Sequence, residues 1–174
     1  MINDSRLIWG LRHIIYKAIY KNLEGFGYIG KPCFTKNLKR LKAKKGLGIF
    51  PGARIEILDG KIEIGENVRI GQNLTLNCGS RIEIGSNTTI SANVFIGTTK
   101  SIIKKGSSFR EWQNIEKPIH IGENCFIGYG VILLPGTKLG NNCIVGANSV
   151  VKGTFPDDTI IGSERAKKIG KLDA

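Results

Sequence analysis

The stretch that decides the fold is KIEIGENVRIGQNLTLNCGS (residues 61–80), which aligns without gaps on RIEIGSNTTISANVFIGTTK (residues 81–100). Each block contains a shorter unit of six residues, and the same unit continues without interruption through residues 121–156. The first position of the unit is Ile, Leu or Val, and the fourth is Asn or Gly. A repeat this regular indicates a solenoid rather than an ordinary globular packing.

The fixed positions of the unit have physical causes. Asn and Gly adopt left-handed backbone angles at little cost, so their column predicts a turn every six residues. Only a very short strand fits between two turns, and its aliphatic side chain must point inward. Three such sides close a triangular coil of about 18 residues, and coils stack at about 4.8 Å, the strand spacing. The predicted turn residues are Asn67, Asn73, Gly79, Asn87, Asn93, Asn124, Gly130, Gly136, Asn142 and Asn148.

The composition excludes several classes of protein. The chain has 174 residues, and its 23 Gly against only 5 Pro exclude a collagen helix. No apolar run approaches the ~18 residues of a membrane span, and the first residues lack the features of a signal peptide. Four cysteines without CxxC spacing are typical of reduced thiols. We therefore expect a cytoplasmic protein.

The positive charge is concentrated near the N-terminus. The net charge is +12, and residues 1–45 contain 11 Lys or Arg against Asp4 and Glu24. Apolar side chains at helical spacing predict an amphipathic helix over residues 5–23, with His13 on its polar surface. We expect the helix to pack against the base of the coils or a neighbouring subunit. The alternative is a peripheral helix that contacts anionic lipid on the cytoplasmic face of a membrane.

The pattern divides the chain into three parts. Residues 1–47 are predicted to form a basic helical arm, residues 48–156 the coils, and residues 157–174 a tail ending in a short helix. The six-residue pattern fails over residues 98–118, which predicts a protruding loop. We expect no nucleic-acid partner, because the coils are nearly neutral and lack aromatics interleaved with basic residues.

The motif [LIV]-G-x-N-x-x resembles the repeat of the hexapeptide-repeat acyltransferases. PIHIGENCFIGYGVILLPGTKLGNNCIVGANSVVKG (residues 118–153) is similar to the end of the galactoside, maltose, xenobiotic and capsule or O-antigen acetyltransferases. The resemblance implies an all-β fold, a left-handed parallel β-helix, assembled as a homotrimer. It also implies acetyl transfer from acetyl-CoA to a sugar hydroxyl of a surface polysaccharide or its precursor. Two alternatives stay open: N-acetylation of an amino-sugar nucleotide, and a catalytically silent β-helix that binds carbohydrate or a partner enzyme.

The catalytic base that the resemblance implies is missing from its usual place. The family carries a His in or just before the protruding loop, whereas this chain contains only His13 and His120. His120 directly precedes a first-position Ile where the loop rejoins the coils, so strand alternation turns it outward. It could be a relocated base or an exposed residue without a role. Glu111 and Glu116 of the loop are the other candidate bases and, with Trp112, the candidate contacts for the acceptor.

The resemblance also implies a site for coenzyme A. Related proteins lay pantetheine along the outer face of the last coils, and the matching residues here are Gly128, Gly146, Ala147 and Ser149. Phe126 stands where many relatives have Trp, so it is a further candidate contact for the coenzyme. The ending IIGSERAKKI is similar to the family's ending, in which basic residues meet the 3′-phosphate. The corresponding basic residues are Arg165, Lys167 and Lys168.

Metal chemistry is not predicted. Two His cannot supply the three ligands that a β-helix carbonic anhydrase needs for zinc. Cys125 and Cys143 fall 18 residues apart in the same column of the repeat. We expect them to stack on adjacent coils as small core residues.

Overall fold

The repeat folds into three parallel β-faces that wind around one apolar core, so the predicted hexapeptide β-helix is confirmed. A computed structural model describes residues 4–103, 105–106 and 108–163. The predicted C-terminal helix, together with Arg165, Lys167 and Lys168, lies outside these residues. Strands are numbered along the chain, and the three faces follow one another within each coil.

Each face stacks one strand from each successive coil. The first face contains β1 (Tyr28–Ile29), β4 (Gly48–Ile49), β7 (Arg69–Ile70), β10 (Thr89–Ile90), β15 (Phe126–Ile127), β18 (Ile144–Val145) and β21 (Ile160–Ile161). The second face contains β2 (Phe34–Lys36), β5 (Arg54–Ile57), β8 (Thr75–Cys78), β11 (Phe95–Gly97), β16 (Ile132–Leu133) and β19 (Val150–Val151). The third face contains β3 (Leu41–Ala43), β6 (Lys61–Ile64), β9 (Arg81–Ile84), β14 (Ile119–Ile121), β17 (Lys138–Leu139) and β20 (Thr154–Phe155).

The fourth-position residues make the turns, as predicted, at nine of ten positions. The seven Asn of the column have φ between 55° and 59°, and Gly130 and Gly136 have φ of 68° and 87°. Gly79 is the exception, because it is not among the residues with a left-handed backbone. The inward aliphatic side chains pack in columns; for example, Ile62, Ile82 and Ile119 follow one another on the third face and are fully buried.

The coils begin earlier than the predicted boundary at residue 48. Strands β1, β2 and β3 already form a first coil, and β3 pairs in parallel with β6. Leu41 and Ala43 are buried while Lys42 and Lys44 are exposed, so the basic segment is the outer surface of this coil. The hexapeptide spacing missed this coil because its turns are irregular, with a 3₁₀ helix at Leu38–Arg40 following the left-handed Asn37.

The N-terminal helix α1 runs from Asp4 to Tyr20 and packs on the first coil with the opposite face from the one predicted. It ends where Lys21 adopts a left-handed backbone, three residues before the predicted end. His13, expected on the surface, is only 1% exposed, whereas the aliphatic side chains face solvent. The inner face is aromatic instead: Trp9 meets Phe50 edge-on at a ring distance of 5.5 Å. No helix among residues 4–103, 105–106 and 108–163 is long and apolar enough to cross a membrane.

The break in the repeat is an antiparallel hairpin that leaves the coils between the second and third faces. Its strands are β12 (Thr99–Ile102) and β13 (Gln113–Glu116), paired with Thr99 opposite Glu116. A 3₁₀ helix, Phe109–Glu111, lies near its far end. The chain returns to the coils at β14, which carries His120 next to the hairpin base.

Candidate functional site

His120 lies on the outer surface of the third face and is paired with a carboxylate. It stands opposite Glu83 of β9 and Lys138 of β17 in the strand register. The distance from His120 Nδ1 to Glu83 Oε2 is 3.3 Å, and the His120 side chain is 52% exposed. In the tautomer that donates Nδ1–H to Glu83, the Nε2 lone pair points away from this contact and is open to a ligand. His120 Nε2 has no hydrogen-bond partner among the described residues.

Arg81 holds Glu83 in place from the same strand. Its guanidinium forms an ion pair with Glu83 and donates through Nε to Glu63 Oε2 at 3.0 Å. The hydrogen bond from Arg81 lowers the pKa of Glu63, and the charges of Arg81 and Lys61 act in the same direction. Glu63 stands one coil before Glu83 in the register, so the two glutamates share one arginine but only Glu83 reaches His120.

Glu116 ties the base of the hairpin to the coils. Its two carboxylate oxygens accept hydrogen bonds from the hydroxyls of Thr98 and Thr99, each at 2.8 Å. Thr98 Oγ1 in turn accepts from the backbone N–H of Gly79 at 2.8 Å. A Cβ at Gly79 would lie 2.3 Å from the Glu116 carboxyl carbon, so a larger residue would displace this carboxylate from its present position. This close approach, rather than a left-handed turn, explains the Gly at this point of the repeat.

The thiol next to this cluster is not a candidate nucleophile. Cys78 is fully buried, and burial, together with the charge of Glu116, raises the pKa of its thiol to about 11. Because the thiolate is the reactive form, Cys78 stays inert near neutral pH. Cys125 and Cys143 are also buried and donate to backbone carbonyls of the neighbouring coils, as expected of core residues.

Within one chain the structure does not bring all candidate acceptor contacts together. Glu111 and Trp112 lie at the far end of β13, where Ser108 Oγ donates to Glu111 Oε1 at 3.2 Å. Glu111 ends the 3₁₀ helix, whereas Glu116 lies at the opposite end of the extended strand β13, which is about 13 Å long. Glu116 is therefore the only one of the three at the hairpin base, and its carboxylate is already engaged by two threonines.

The candidate coenzyme residues gather at the corner between the first and second faces. Phe126 is 45% exposed and Ala147 is exposed, while Gly146 is half-buried. Gly128 and Ser149 are buried and do not lie on the outer face, contrary to expectation. A Cβ at Gly128 would lie 2.7 Å from the Ala147 nitrogen, and Ser149 Oγ accepts from the Ser163 N–H at 3.1 Å. Gly128 therefore permits close packing of the backbone at this corner, and Ser149 stabilises it through a hydrogen bond.

Two exposed apolar strips flank this corner. One strip follows the strand register along the first face and contains Phe126, Ile144 and Ile160. The other follows the second face and contains Phe95, Ile132 and Val150. Tyr129 lies at the corner, where its hydroxyl accepts from Asn93. Such continuous exposed strips are typical of surfaces that another molecule covers.

Sequence reasoning found His120 but missed its partner. Glu83 and His120 are 37 residues apart, and the hairpin conceals that they occupy the same column on successive coils. Without the 18 residues of the hairpin (99–116) the spacing becomes 19, close to the spacings of 20 and 18 residues in the coils before and after it. The Thr98–Glu116 contact has no such signal, since it depends on how the hairpin strands leave the coils.

The fold and the repeat define a hexapeptide-repeat β-helix protein, and comparisons with known proteins agree. The family description "Bacterial transferase hexapeptide (six repeats)" matches residues 118–153, and "Hexapeptide repeat of succinyl-transferase" matches residues 61–98. These matches support the resemblance of the chain to the hexapeptide-repeat acyltransferase family.

Individual relatives differ in the group that their names say they modify. The chain is 33% identical over 141 residues to a galactoside O-acetyltransferase of Lactococcus lactis, covering 78% of this chain and 58% of the relative. It is 47% identical over 53 residues to a protein of Escherichia coli provisionally named lipopolysaccharide biosynthesis O-acetyl transferase WbbJ, covering 30% and 27%. The chain thus spans less than two thirds of either relative.

A solved structure shares the fold over nearly the whole chain. A mutant of AntD, an N-acyltransferase from Bacillus cereus in complex with dTDP and Coenzyme A, superposes with a TM-score of 0.72. The superposition covers 93% of this chain and 89% of AntD at 18% identity. At this identity the match establishes the fold of the coils.

Proposed function

We propose that the protein transfers an acetyl group from acetyl-CoA to a hydroxyl of a sugar in a surface polysaccharide or its precursor. The observation that carries the proposal is the pairing of His120 with Glu83 beside the hairpin. A carboxylate that orients an imidazole, with the second ring nitrogen open to solvent, is the arrangement that a general base for a hydroxyl needs. The names of the galactoside and lipopolysaccharide relatives support a sugar acceptor.

The proposed step requires one proton transfer in each direction. His120 Nε2 takes the proton of the acceptor hydroxyl as its oxygen attacks the thioester carbon. The carbon–oxygen bond forms, the carbon–sulfur bond breaks, and the leaving sulfur takes the proton back from His120. Glu83 does not touch the reacting atoms; it fixes the tautomer of His120 and stabilises the imidazolium that forms between the two transfers.

Coenzyme A is proposed to bind at the corner between the first and second faces. Phe126 and Ala147 offer an exposed surface there, and the half-buried Gly146 would let the pantetheine arm approach the backbone. Gly128 and Ser149 would act by shaping the corner rather than by direct contact. Arg165, Lys167 and Lys168 are proposed from the sequence alone to meet the 3′-phosphate.

A homotrimer would complete this site. The two apolar strips beside the corner would be covered by a neighbouring subunit, and Glu111 and Trp112 would then act on the acceptor bound at that neighbour. Glu116 would support the hairpin that carries them. Sedimentation equilibrium should report three copies, and Ile144→Glu should shift the protein towards a monomer; a wild-type monomer would refute this arrangement.

Thiol release from acetyl-CoA, measured against a panel of acceptors, tests the function. The panel should contain galactosides, oligosaccharides with free hydroxyls, and an amino-sugar nucleotide, since AntD is an N-acyltransferase. Turnover with hydroxyl acceptors that is lost in His120→Asn supports the proposal. Turnover with the amino sugar alone would favour N-acetylation, and no turnover with any acceptor would favour a silent, carbohydrate-binding β-helix.

A further inference from the structure

Helix α1 presents a continuous aliphatic face to solvent. Its members have exposures between 47% and 70% and recur at helical spacing: Leu7, Ile8, Leu11, Ile14, Ile15 and Ile19. Single exposed aliphatic residues are ordinary, but a patch of six Leu and Ile along a whole helix is not. This face therefore indicates a surface that is covered when the protein functions.

The helix cannot bury this face by rolling onto the coils, because its other side is anchored. Arg12 Nη1 donates to the Ile29 carbonyl at 2.9 Å, and Lys17 Nζ donates to the Gly25 carbonyl at 2.9 Å. His13 is buried between them, and its ring lies 6.1 Å from the ring of Phe26. Rotation would break these contacts and expose aromatic side chains in exchange for aliphatic ones. The aliphatic face is thus fixed outward.

The coil on which the helix packs is strongly basic. Residues 23–47 contain seven exposed Lys or Arg and a single acidic residue, Glu24. The exposed cations are Lys31, Lys36, Lys39, Arg40, Lys42, Lys44 and Lys45. Lys36 and Lys45 meet Glu56 and Glu66 of the next coil, at 3.9 Å and 3.4 Å. Although these two lysines form ion pairs, the exposed cations outnumber the acidic residues at the end of the solenoid that bears the helix, so this end carries a net positive charge.

We infer that α1 binds the surface of an anionic lipid bilayer, lying flat with its aliphatic face among the acyl chains. An amphipathic helix with one apolar side and neighbouring Lys and Arg is the structure that such a surface binds. A second copy of the chain fits less well, because face-to-face pairing would bring two basic coils together. At 17 residues the helix is about 25 Å long, suited to lying in the interface. The N-terminal end of the solenoid then faces the membrane, and the coils project away from it.

Flotation of the full-length protein with vesicles tests the inference without any assay of acyl transfer, so it stands or fails independently of the proposed function. Vesicles of phosphatidylcholine with about 30% phosphatidylglycerol should carry the protein to the top of the gradient, and vesicles of phosphatidylcholine alone should carry much less. Raising the salt from about 0.1 M to 0.5 M should reduce binding. No binding to the anionic vesicles at low salt would overturn the inference.

Paired variants separate the apolar contribution from the charge. Leu11→Ser with Ile15→Ser should lower vesicle binding about tenfold or more while leaving the net charge unchanged. Ile103→Ser with Ile115→Ser, two exposed aliphatics of the hairpin, should bind as the wild type does. Lys39→Glu with Lys44→Glu should also lose about tenfold or more, whereas Lys138→Glu with Lys152→Glu, at the other end of the solenoid, should lose less.

Two results would contradict the membrane contact. If the Leu11 and Ile15 variant binds vesicles like the wild type, attraction is by charge alone and the helix does not insert. If the wild type self-associates through this face, and the same variant dissociates it, the occupant is a second copy of the chain. Unchanged circular dichroism spectra would show that the variants keep the fold, as expected for exposed positions.

Discussion

His120 Nδ1 and Glu83 Oε2 lie 3.3 Å apart although 37 residues of chain separate the two side chains. The hairpin of residues 99–116 accounts for the separation, because it is inserted between two coils that otherwise stack in register. An insertion of this kind leaves the stacking of the coils unchanged and adds a projecting hairpin next to the outward-facing column that contains Glu83 and His120. The pair therefore occupies the one place on the third face where a rigid scaffold and a loop meet.

Glu83→Gln tests whether this carboxylate positions the base. We expect kcat to fall about tenfold while KM for the acceptor changes little, because the amide keeps the size of Glu83 but cannot stabilise an imidazolium. His120→Asn should fall further, by roughly 10²–10⁴-fold. The matched control is Glu63→Gln, one coil earlier, which loses an Arg81 contact but does not touch His120. Equal losses of kcat in Glu83→Gln and Glu63→Gln would mean that the ion pairs of Arg81 with these glutamates only stabilise the structure.

The sequence predicted the coils because each turn of the helix is decided locally. The column of Asn or Gly sets the positions of the turns, and the single aliphatic residue of each side sets which side chain points inward. The coils can therefore be predicted from each six-residue unit without knowledge of distant contacts. The first coil was not predicted, because Asn37 and a 3₁₀ helix replace the regular six-residue unit there. The packing face of helix α1 was predicted wrongly for another reason. The aliphatic periodicity is present, but Trp9 and His13 pack against the coils while the aliphatic side chains face solvent.

The candidate site was predictable only in part. The alternation of side chains along β14 correctly predicted that His120 faces outward, because this alternation depends only on the local strand. The contact of His120 with Glu83 joins two coils that the inserted hairpin separates in sequence, and the contact of Glu116 with Thr98 depends on the register of the hairpin, which no pattern in the chain specifies. Ser149 is buried because it directly follows the turn residue Asn148, and the equivalent residues Val68 and Cys125 of other coils are buried too.

Gly79→Ala should destabilise the protein through Glu116 rather than through the backbone. The new Cβ would collide with the carboxylate, so we expect the free energy of unfolding to fall by about 1–3 kcal/mol, as for an overpacked site. In a Glu116→Ala background the same change should cost clearly less, because the obstacle is gone. Gly162→Ala is the control, since a Cβ there meets nothing within 4 Å among the described residues. Equal costs of Gly79→Ala in both backgrounds would refute the proposed clash.

Asn124→Val tests the turn column itself. Asn124 has φ of 55°, which a β-branched residue adopts only with strain, so urea unfolding should show a loss of about 1–2 kcal/mol. Asn124→Gly should lose less, because glycine tolerates this angle. Lys138→Thr, at an exposed outward position, should be close to neutral. If Val and Gly cost the same at Asn124, its side chain rather than its backbone angle holds the turn.

The burial of His13 should make the stability of the protein depend on pH. Burial lowers the pKa of His13 from its ordinary value of 6.5, and the charge of Lys17 acts in the same direction. The unfolded chain therefore binds the proton more readily, so the free energy of unfolding is highest above 6.5 and falls as the pH drops through that value. Neither ring nitrogen has a hydrogen-bond partner among the described residues, and the backbone of Gly25, which favours the protonated ring, only partly offsets the effect of burial on the pKa.

His13→Leu removes this titration while keeping the site apolar. Urea denaturation of the wild type between about pH 5 and 7.5 should show stability rising with pH, and His13→Leu should flatten that rise. His120→Asn is the control, because it removes the only other imidazole from an exposed position and should leave the rise in place. If His13→Leu keeps the full pH dependence, or His120→Asn abolishes it, the buried imidazole is not the group that acidification charges. The protonated ring would also weaken the packing of α1 on the first coil, so the amide protection factors of Asp4–Tyr20, each taken relative to the intrinsic exchange rate at the same pH, should fall on acidification before those of the coils do.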